Sequence, residues 1–404
     1  LGSLSDTSTT VYTATFTPTA DGAATIDVGA AGFTDAYGNN NTAATQFNWT
    51  YDGTAPTMAG SVFDGTDVDI DWTNSTSSLT ATWSGFSDTL SGIQKYEYAI
   101  GNSSGGTDVV DWTNNSTDTS VTKAGLTLTN GTTYYLSIRA ADNVGNVSTI
   151  VTSDGITVDT DVPIISSVIE GSLTADMDYQ NSDTTLIIVW TGSDTASGIA
   201  QYEYALGTAS ADSNTVAWTN AGTATADTLT GLSLTEDSIY YLSARATDVA
   251  GNLSVVVNGD GVTIDLTAPA GTIVNDGTGD DIAYTGSDST LSAVWPAFTE
   301  TVSGISKYEY AIGSSSGGTN VVDWIGNATD TSFTKTGLST TSGTAYYISV
   351  KATDNAENES TTITSDGVIV DTGGPIAGTV FDGLGADIDW TNSTSSLTAT
   401  WSGF

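Results

Sequence analysis

Apolar and polar residues alternate along most of this chain, and the pattern is sharpest in the thirteen residues YYLSIRAADNVGN at 134–146. There Tyr134, Leu136, Ile138 and Ala140 alternate with Tyr135, Ser137, Arg139 and Ala141, so one set can be buried while the other stays wet. The spacing predicts a half-buried strand. The Asp and Asn side chains of Asp142 to Asn146 can bond nearby backbone groups, and Gly145 tolerates positive φ, so a chain reversal follows at once. The stretch returns as YYLSARATDVAGN at 240–252 and YYISVKATDNAEN at 346–358, each copy 106 residues after the last. That period is too long for a solenoid repeat and fits one small domain.

Other landmarks keep the same order in every copy. Trp83 closes LTATW, with counterparts Trp190, Trp295 and Trp401, and Tyr96 and Tyr98 return as Tyr202 and Tyr204, then Tyr308 and Tyr310. Leu126, Leu232 and Leu338 precede the opening strand. The runs are short and rich in β-branched and aromatic residues, with Gly, Asn, Asp and Ser between them, and no helical period exceeds a turn. An all-β chain is expected. Asp52 to Pro56, Asp159 to Pro163, Asp265 to Pro269 and Asp371 to Pro375 are related joints, in which proline fixes φ and restricts the residue before it. Short extended links of this kind predict an elongated rod of modules. They divide the chain into 1–55, 56–162, 163–268, 269–374 and 375–404. Asp69 to Phe86 is identical to Asp387 to Phe404, three periods later, which predicts a three-module super-repeat in a very large protein.

In residues 1–55, Tyr12, Ala14 and Phe16 alternate, then Ile26 and Val28, and Asp35 to Asn39 is a turn like Asp142 to Asn146. Phe47, Trp49 and Tyr51 form a last strand. The run YTATFTPTADGAATIDVGAAGFTDAYGNNN resembles the second half of bacterial Ig-like domains from large surface proteins. Residues 56–404 resemble fibronectin type III domains. Trp83 stands at the end of a second strand, Tyr96 and Tyr98 on a third, and Leu128, Gly131 and Tyr134 match that family's leucine, glycine and corner tyrosine. The resemblance implies tandem Ig-like β-sandwiches of fibronectin type III kind, with the tyrosine hydroxyl tied back to the preceding loop. The repeats depart from it in carrying extra residues between Gly101 and Lys123, and in Thr340 replacing the corner leucine.

Charge narrows the partners. Forty-seven acidic residues against seven basic ones give a net charge of -40, which disfavours nucleic acid and anionic membrane and favours cations. No cysteine and no histidine occur, so disulfides, thiolate sites, a cysteine nucleophile and the usual general base are all excluded. No run approaches the length of a membrane span. Glu97, Glu203 and Glu309 each precede Arg139, Arg245 or Lys351 by 42 residues, a spacing that predicts cross-strand ion pairs.

Two further sets are candidates for binding. Asp142, Asn146, Asp159 and Asp161, with Asp248, Asn252 and Asp265 and then Asp354, Asn358 and Asp371, bring oxygen-only ligands towards the joints, as calcium requires. Capping of their own backbone is the competing reading. Trp112, Trp218 and Trp324, each preceded by Asp or Ala, are candidate sugar-stacking platforms, with packing as the alternative. Asn48, Asn74, Asn130, Asn146 and Asn252 stand in N-glycosylation triplets. No nucleophile has a recognisable base partner, and no phosphate loop opens a helix, so no catalysis is expected.

The resemblance implies a stalk segment of a giant extracellular adhesin or filament on a bacterial cell surface, serving attachment or gliding motility. Its partners would be neighbouring repeats, surface polysaccharide or other cell-surface proteins, with neither nucleic acid nor membrane engaged by this segment. An array of polysaccharide-binding modules, or the accessory stalk of a secreted glycan-degrading enzyme, is the alternative.

Overall fold

The computed structural model describes residues 5–8, 11–13, 15–66, 68–384 and 387–403, and no helix occurs among them. Ala14 and Phe404, named above, lie outside the described residues.

Between residues 57 and 158 the strands form two facing sheets and a separate two-stranded pair, Thr57–Met58 with Phe86–Ser87. The smaller runs in the order Ser120–Ala124, Ser78–Trp83, Val62–Asp64. The larger runs Val110–Asn114, Ile93–Gly101, Thr133–Asp142, Ile156–Val158, Trp72–Thr73, and Val151–Thr152 also pairs with Thr133–Asp142. All these pairings are antiparallel except Ile156–Val158 with Trp72–Thr73. The extra residues between Gly101 and Lys123 therefore supply the strand Val110–Asn114 and part of Ser120–Ala124. The same two sheets recur over residues 164–264 and 275–370.

Alternation along Thr133–Asp142 explains why it is central. Tyr134, Leu136, Ile138 and Ala140 are buried and pack against Leu79, Ala81 and Trp83 of the smaller sheet. Burying each large aliphatic side chain contributes roughly 1.5–3 kcal/mol. The Trp83 ring meets Tyr96 edge-on at 5.8 Å, the geometry a ring quadrupole favours. Residues 164–264 and 275–370 build their own clusters around Trp190 and Trp295, and no residue belongs to two clusters. The chain is thus a series of Ig-like sandwiches, each with its own core.

Two local devices recur. The Tyr134 hydroxyl accepts the Thr129 N–H at 3.0 Å, as Tyr240 does from Thr235 at 3.0 Å and Tyr346 from Thr341 at 2.9 Å. The corner survives Thr340 because that hydroxyl donates to the Asp288 carbonyl at 2.8 Å, satisfying the polar group where Leu128 packs in the first module. At the following turn Gly145 and Gly251 adopt φ of 101° and 94°, whereas Glu357 holds φ of 70°, a conformation that strains a residue with a side chain.

In the first segment Gly22–Ile26 pairs with Phe47–Tyr51, and Phe16 packs edge-on against Trp49 at 5.2 Å. Asp35 makes the turn by accepting the N–H groups of Tyr37 and Asn39 at 2.9 and 3.0 Å.

Candidate functional site

The joints are built from one repeated aspartate. Because Ile156–Val158 ends beside Trp72–Thr73, the Asp159 N–H donates to the Thr73 carbonyl at 2.9 Å, inside the module it closes. Its own carbonyl accepts from Asn252 Nδ2 at 2.9 Å, and its Oδ2 accepts from the Ser197 N–H at 3.0 Å, both in the next module. Asp265 repeats this with Thr or Gln counterparts: its N–H reaches the Gln180 carbonyl at 2.9 Å, Asn358 Nδ2 reaches its carbonyl at 2.9 Å, and the Ser303 N–H reaches Oδ2 at 3.2 Å. Asp52 accepts likewise from Asn146 Nδ2 and the Ser91 N–H, at 3.2 and 3.1 Å. Asp159 and Asp265 are fully buried.

This geometry regroups the residues proposed from sequence. Thr133–Asp142 starts beside Ile156–Val158 and runs away from it, so Asp142 ends at the pole that faces the preceding joint. Asp142 therefore lies with Asp52 and Asp88, not with Asp159 and Asp161 of the following joint. Asp248 joins Asp159 and Asp194, and Asp354 joins Asp265 and Glu300. In each trio one oxygen per carboxylate lies within 4.8 Å of the other two, a donor set that could hold a divalent cation. Asp161 instead accepts from Asn130 Nδ2 at 2.9 Å, and Asp371 caps the Gly373 N–H at 3.0 Å.

Backbone donors already serve most of these oxygens. Asp142 Oδ1 accepts the N–H groups of Val144, Gly145 and Asn146 at 2.7 to 3.0 Å, and Oδ2 accepts Asn146 Nδ2 at 2.8 Å. Burial pushes the Asp142 carboxyl up, but these donors outweigh it and hold the group below the usual carboxylate range. Asp354 shifts the other way, raised by burial and by the charges of Asp265 and Glu300 beyond what its Asn358 donors offset. Asn146 and Asn252 spend their amide nitrogens on these bonds, so glycosylation there would break the joint contacts.

Sequence reasoning missed Asp88, Asp194 and Glu300. The signal was present: DTLSG, DTASG and ETVSG at 88–92, 194–198 and 300–304 recur with the 106-residue period. Their carboxylates cap the same tight loop, Asp88 Oδ1 accepting the Gly92 N–H at 2.6 Å and Glu300 Oε1 the Val302 N–H at 2.7 Å.

On the outer face of the larger sheet, Glu97 stands opposite Arg139 in register, and Arg139 Nε bonds Glu97 Oε2 at 2.8 Å. Arg245 does the same with Glu203 at 2.8 Å, while Lys351 lies 3.7 Å from Glu309 and 2.8 Å from Glu359. The Lys95 ammonium, at 2.7 Å, and then Arg139 hold the Glu97 carboxyl below its usual range. Each cation also covers a tryptophan: Arg139 lies 4.2 Å from the Trp112 ring, Arg245 4.3 Å from Trp218 and Lys351 4.9 Å from Trp324. The three indoles are half-buried, and one face of each is taken by its cation.

Residues 1–51 match the family profile of a bacterial Ig-like domain. Over 330 residues, 77% of the chain, the sequence is 33% identical to Exoglucanase B of Cellulomonas fimi. The aligned part spans 25% of that protein's length. Among solved structures, the chicken CNTN1 FN1–FN3 domains match with a TM-score of 0.33 and 16% identity, covering 78% of this chain and 99% of that one. Titin domains A168–A170 match with a TM-score of 0.35 and 14% identity, covering 78% and 99%.

Proposed function

We propose that this chain is a non-catalytic spacer of a large extracellular bacterial protein, a run of Ig-like sandwiches that holds other parts of that protein apart. The joint aspartate carries the reading. Its N–H is bonded to the module it closes and its carbonyl and carboxylate to the one that follows, at both Asp159 and Asp265. A residue fixed on both sides leaves the link little torsional freedom, so successive modules keep one relative orientation. Separate cores let each module yield under load without unfolding its neighbours.

Within that reading the segment serves as the stalk of an adhesin or filament used for attachment or gliding. Surface polysaccharide or cell-surface proteins are then contacted by a distal region. The likeness to Exoglucanase B favours a second version, in which the same spacer separates parts of a secreted glycan-degrading enzyme.

Pulling the chain from its ends in a force spectrometer tests the spacer. Three steps are expected, each releasing roughly 350 Å of contour for a module of this period. One merged release, or a continuous extension, overturns it. Retention of the chain on insoluble cellulose would move binding into the modules themselves. The sequence flanking this segment separates adhesin from enzyme, since only the second has a catalytic domain.

A further inference from the structure

Away from the joints, each module carries another acidic cluster, where the first strand of the smaller sheet meets the break between the last two short strands of the larger one. Asp64 closes the strand Val62–Asp64, Asp69 follows in the next loop, and Asp154 sits in the break between Val151–Thr152 and Ile156–Val158, two short strands that pair one after the other with Thr133–Asp142. One oxygen from each lies within 4.8 Å of the others. Glu170, Asp176 and Asp260 form the same trio in the second module, and Asp281 and Asp366 are the charged neighbours of Asp276 in the third. Asp69, Asp154 and their counterparts are exposed, so the cluster opens to solvent on one side.

Clustering alone would mean little in so acidic a chain. The decisive observation is the buried member. Asp64, Glu170 and Asp276 are fully buried, and in each one carboxylate oxygen has no hydrogen-bond donor among the described residues: Asp64 Oδ1, Glu170 Oε2 and Asp276 Oδ1. The other oxygen is held, Asp64 Oδ2 by the Gly155 N–H at 3.1 Å, Asp276 Oδ2 by the Gly367 N–H at 3.1 Å and Glu170 Oε1 by the Leu242 N–H at 2.9 Å. A buried oxygen without a donor costs about 1–3 kcal/mol, more when charged, unless something outside the chain satisfies it. The carboxylates of the joint trios show no such orphan, although Glu236, which accepts the Leu266 N–H at a joint, leaves its Oε1 without a donor.

The second module shows that the carboxylate is kept in place through a change of residue. In the first and third modules Ser153 and Ser365 accept the N–H of Leu136 and Ile348 at 3.1 and 3.0 Å. In the second, Glu170 is one carbon longer and takes the corresponding Leu242 N–H itself. Gly259 replaces the serine there because any Cβ would collide with the Glu170 carboxylate. A carboxyl group persists there where an apolar filler of similar size could have closed the space.

We propose that Asp64 with Asp69 and Asp154, and the equivalent residues of the next two modules, form a divalent cation site of calcium type that clasps the two sheets together at the edge of each sandwich. The orphaned oxygen faces the ion, the two exposed carboxylates and water complete an all-oxygen shell, and the bond ties the first strand to the break in the last one. This inference is independent of the spacer reading, because it concerns a bond inside each module.

Calcium titration of the full chain, stripped with chelator, tests it by calorimetry and thermal melting. Wild type is compared with two variants: the edge triple Asp154→Asn, Asp260→Asn and Asp366→Asn, and a control double, Asp118→Asn and Asp330→Asn, at exposed aspartates in the loops that precede Ser120–Ala124 and Ser332–Thr336. All edge substitutions fall on exposed side chains, so the folded state is checked by the melt in chelator. Expected is binding by wild type and the control double with Kd of roughly 0.1–1 mM, and a melting rise of roughly 5–10 °C in ~10 mM calcium. The edge triple should lose both. If the edge triple binds as wild type does, or wild type shows neither heat nor shift, the site does not exist.

Discussion

The same eighteen residues, DIDWTNSTSSLTATWSGF, occur at 69–86 and from residue 387 onward, and within this 404-residue segment only the first copy is followed by further residues. In the first, Leu79 is 3% exposed and Trp83 4%; in the second, Leu397 is 84% exposed and Trp401 69%. Local pairing is retained in both, since Val62 pairs with Trp83 and Val380 with Trp401. The facing sheet and the strand beyond come, in the first copy, from residues downstream of it, and the second copy closes the segment. Leu79 and Trp83 are covered by Tyr96, Tyr98, Leu136 and Ile138, and Ser78–Trp83 also pairs with Ser120–Ala124. Alternation thus specifies a strand and which face is apolar, while burial arrives from residues tens of positions downstream.

That contrast is broken most directly by truncating the same leucine twice. Leu79→Ala is expected to destabilise the first module by about 2–4 kcal/mol, the cost of a cavity in a packed core. In this 404-residue segment taken by itself, Leu397→Ala should change stability by no more than ~0.5 kcal/mol, as exposed substitutions do. Denaturant unfolding of each variant reads the difference. Equal losses would mean that the two copies have equivalent surroundings.

The aspartate that closes the strand paired with each copy sharpens the contrast further. Asp64 is fully buried and Asp382 exposed. Burial, and next the charges of Asp69 and Asp154, push the Asp64 carboxyl up to about 7 against the pull of Ser153 and Gly155, and burial likewise raises Glu170 to about 7 and Asp276 to about 6. A raised carboxyl favours the folded state only while protonated, so its contribution is full below about pH 4 and is lost as pH climbs through 6 to 7. In chelator the first module should therefore be roughly 1–3 kcal/mol more stable at pH 5.5 than at pH 8. Melting at the two values checks this, and Asp64→Asn should flatten the dependence. Glu97 and Asp142, both lowered, act in the opposite sense but only at more acidic pH.

Much of this was legible in the sequence, for a physical reason. Strand period, turn chemistry and the 42-residue offset of Glu97 from Arg139 are short-range or register-bound, and the structure carries each one. The corner tyrosines bond as the fibronectin type III resemblance implies. The metal candidates were grouped across the wrong pole, because a turn's position depends on strand direction through the whole sandwich: Asp142 belongs with Asp52, more than eighty residues earlier. The edge cluster escaped notice because Asp64, Asp69 and Asp154 read one at a time as ordinary turn acids. Only the solvent-free oxygen on Asp64 sets them apart.

Turns allow the comparison to be repeated on a smaller scale. Asn39 and Asn252 both bond the aspartate four residues earlier, at 3.0 and 2.8 Å, but only Asn252 also reaches a joint carbonyl, that of Asp159. Asn252→Ala is expected to cost about 1–2 kcal/mol and to loosen the link between modules, which small-angle scattering would record as a broader range of chain lengths. Asn39→Ala, exposed and without that second bond, should cost ~0.5 kcal/mol or less. Equal costs would show that the joint bond adds nothing to the turn.

The smallest effect is expected on the outer face. Arg139 joins Glu97 and covers Trp112, yet all three side chains meet solvent, so screening limits the pair to about 1 kcal/mol or less. Arg139→Ala should lower the first module's stability by that amount and shift Trp112 fluorescence by uncovering its ring, whereas Arg139→Lys should restore part of the stability, as Lys351 over Trp324 already illustrates. Insoluble polysaccharide supplies the last discriminator. With its cation gone the Trp112 face is free, so a chain that then adheres to cellulose would show that the guanidinium masks a sugar platform, and one that still fails to adhere would show that the indole serves the strand ladder alone.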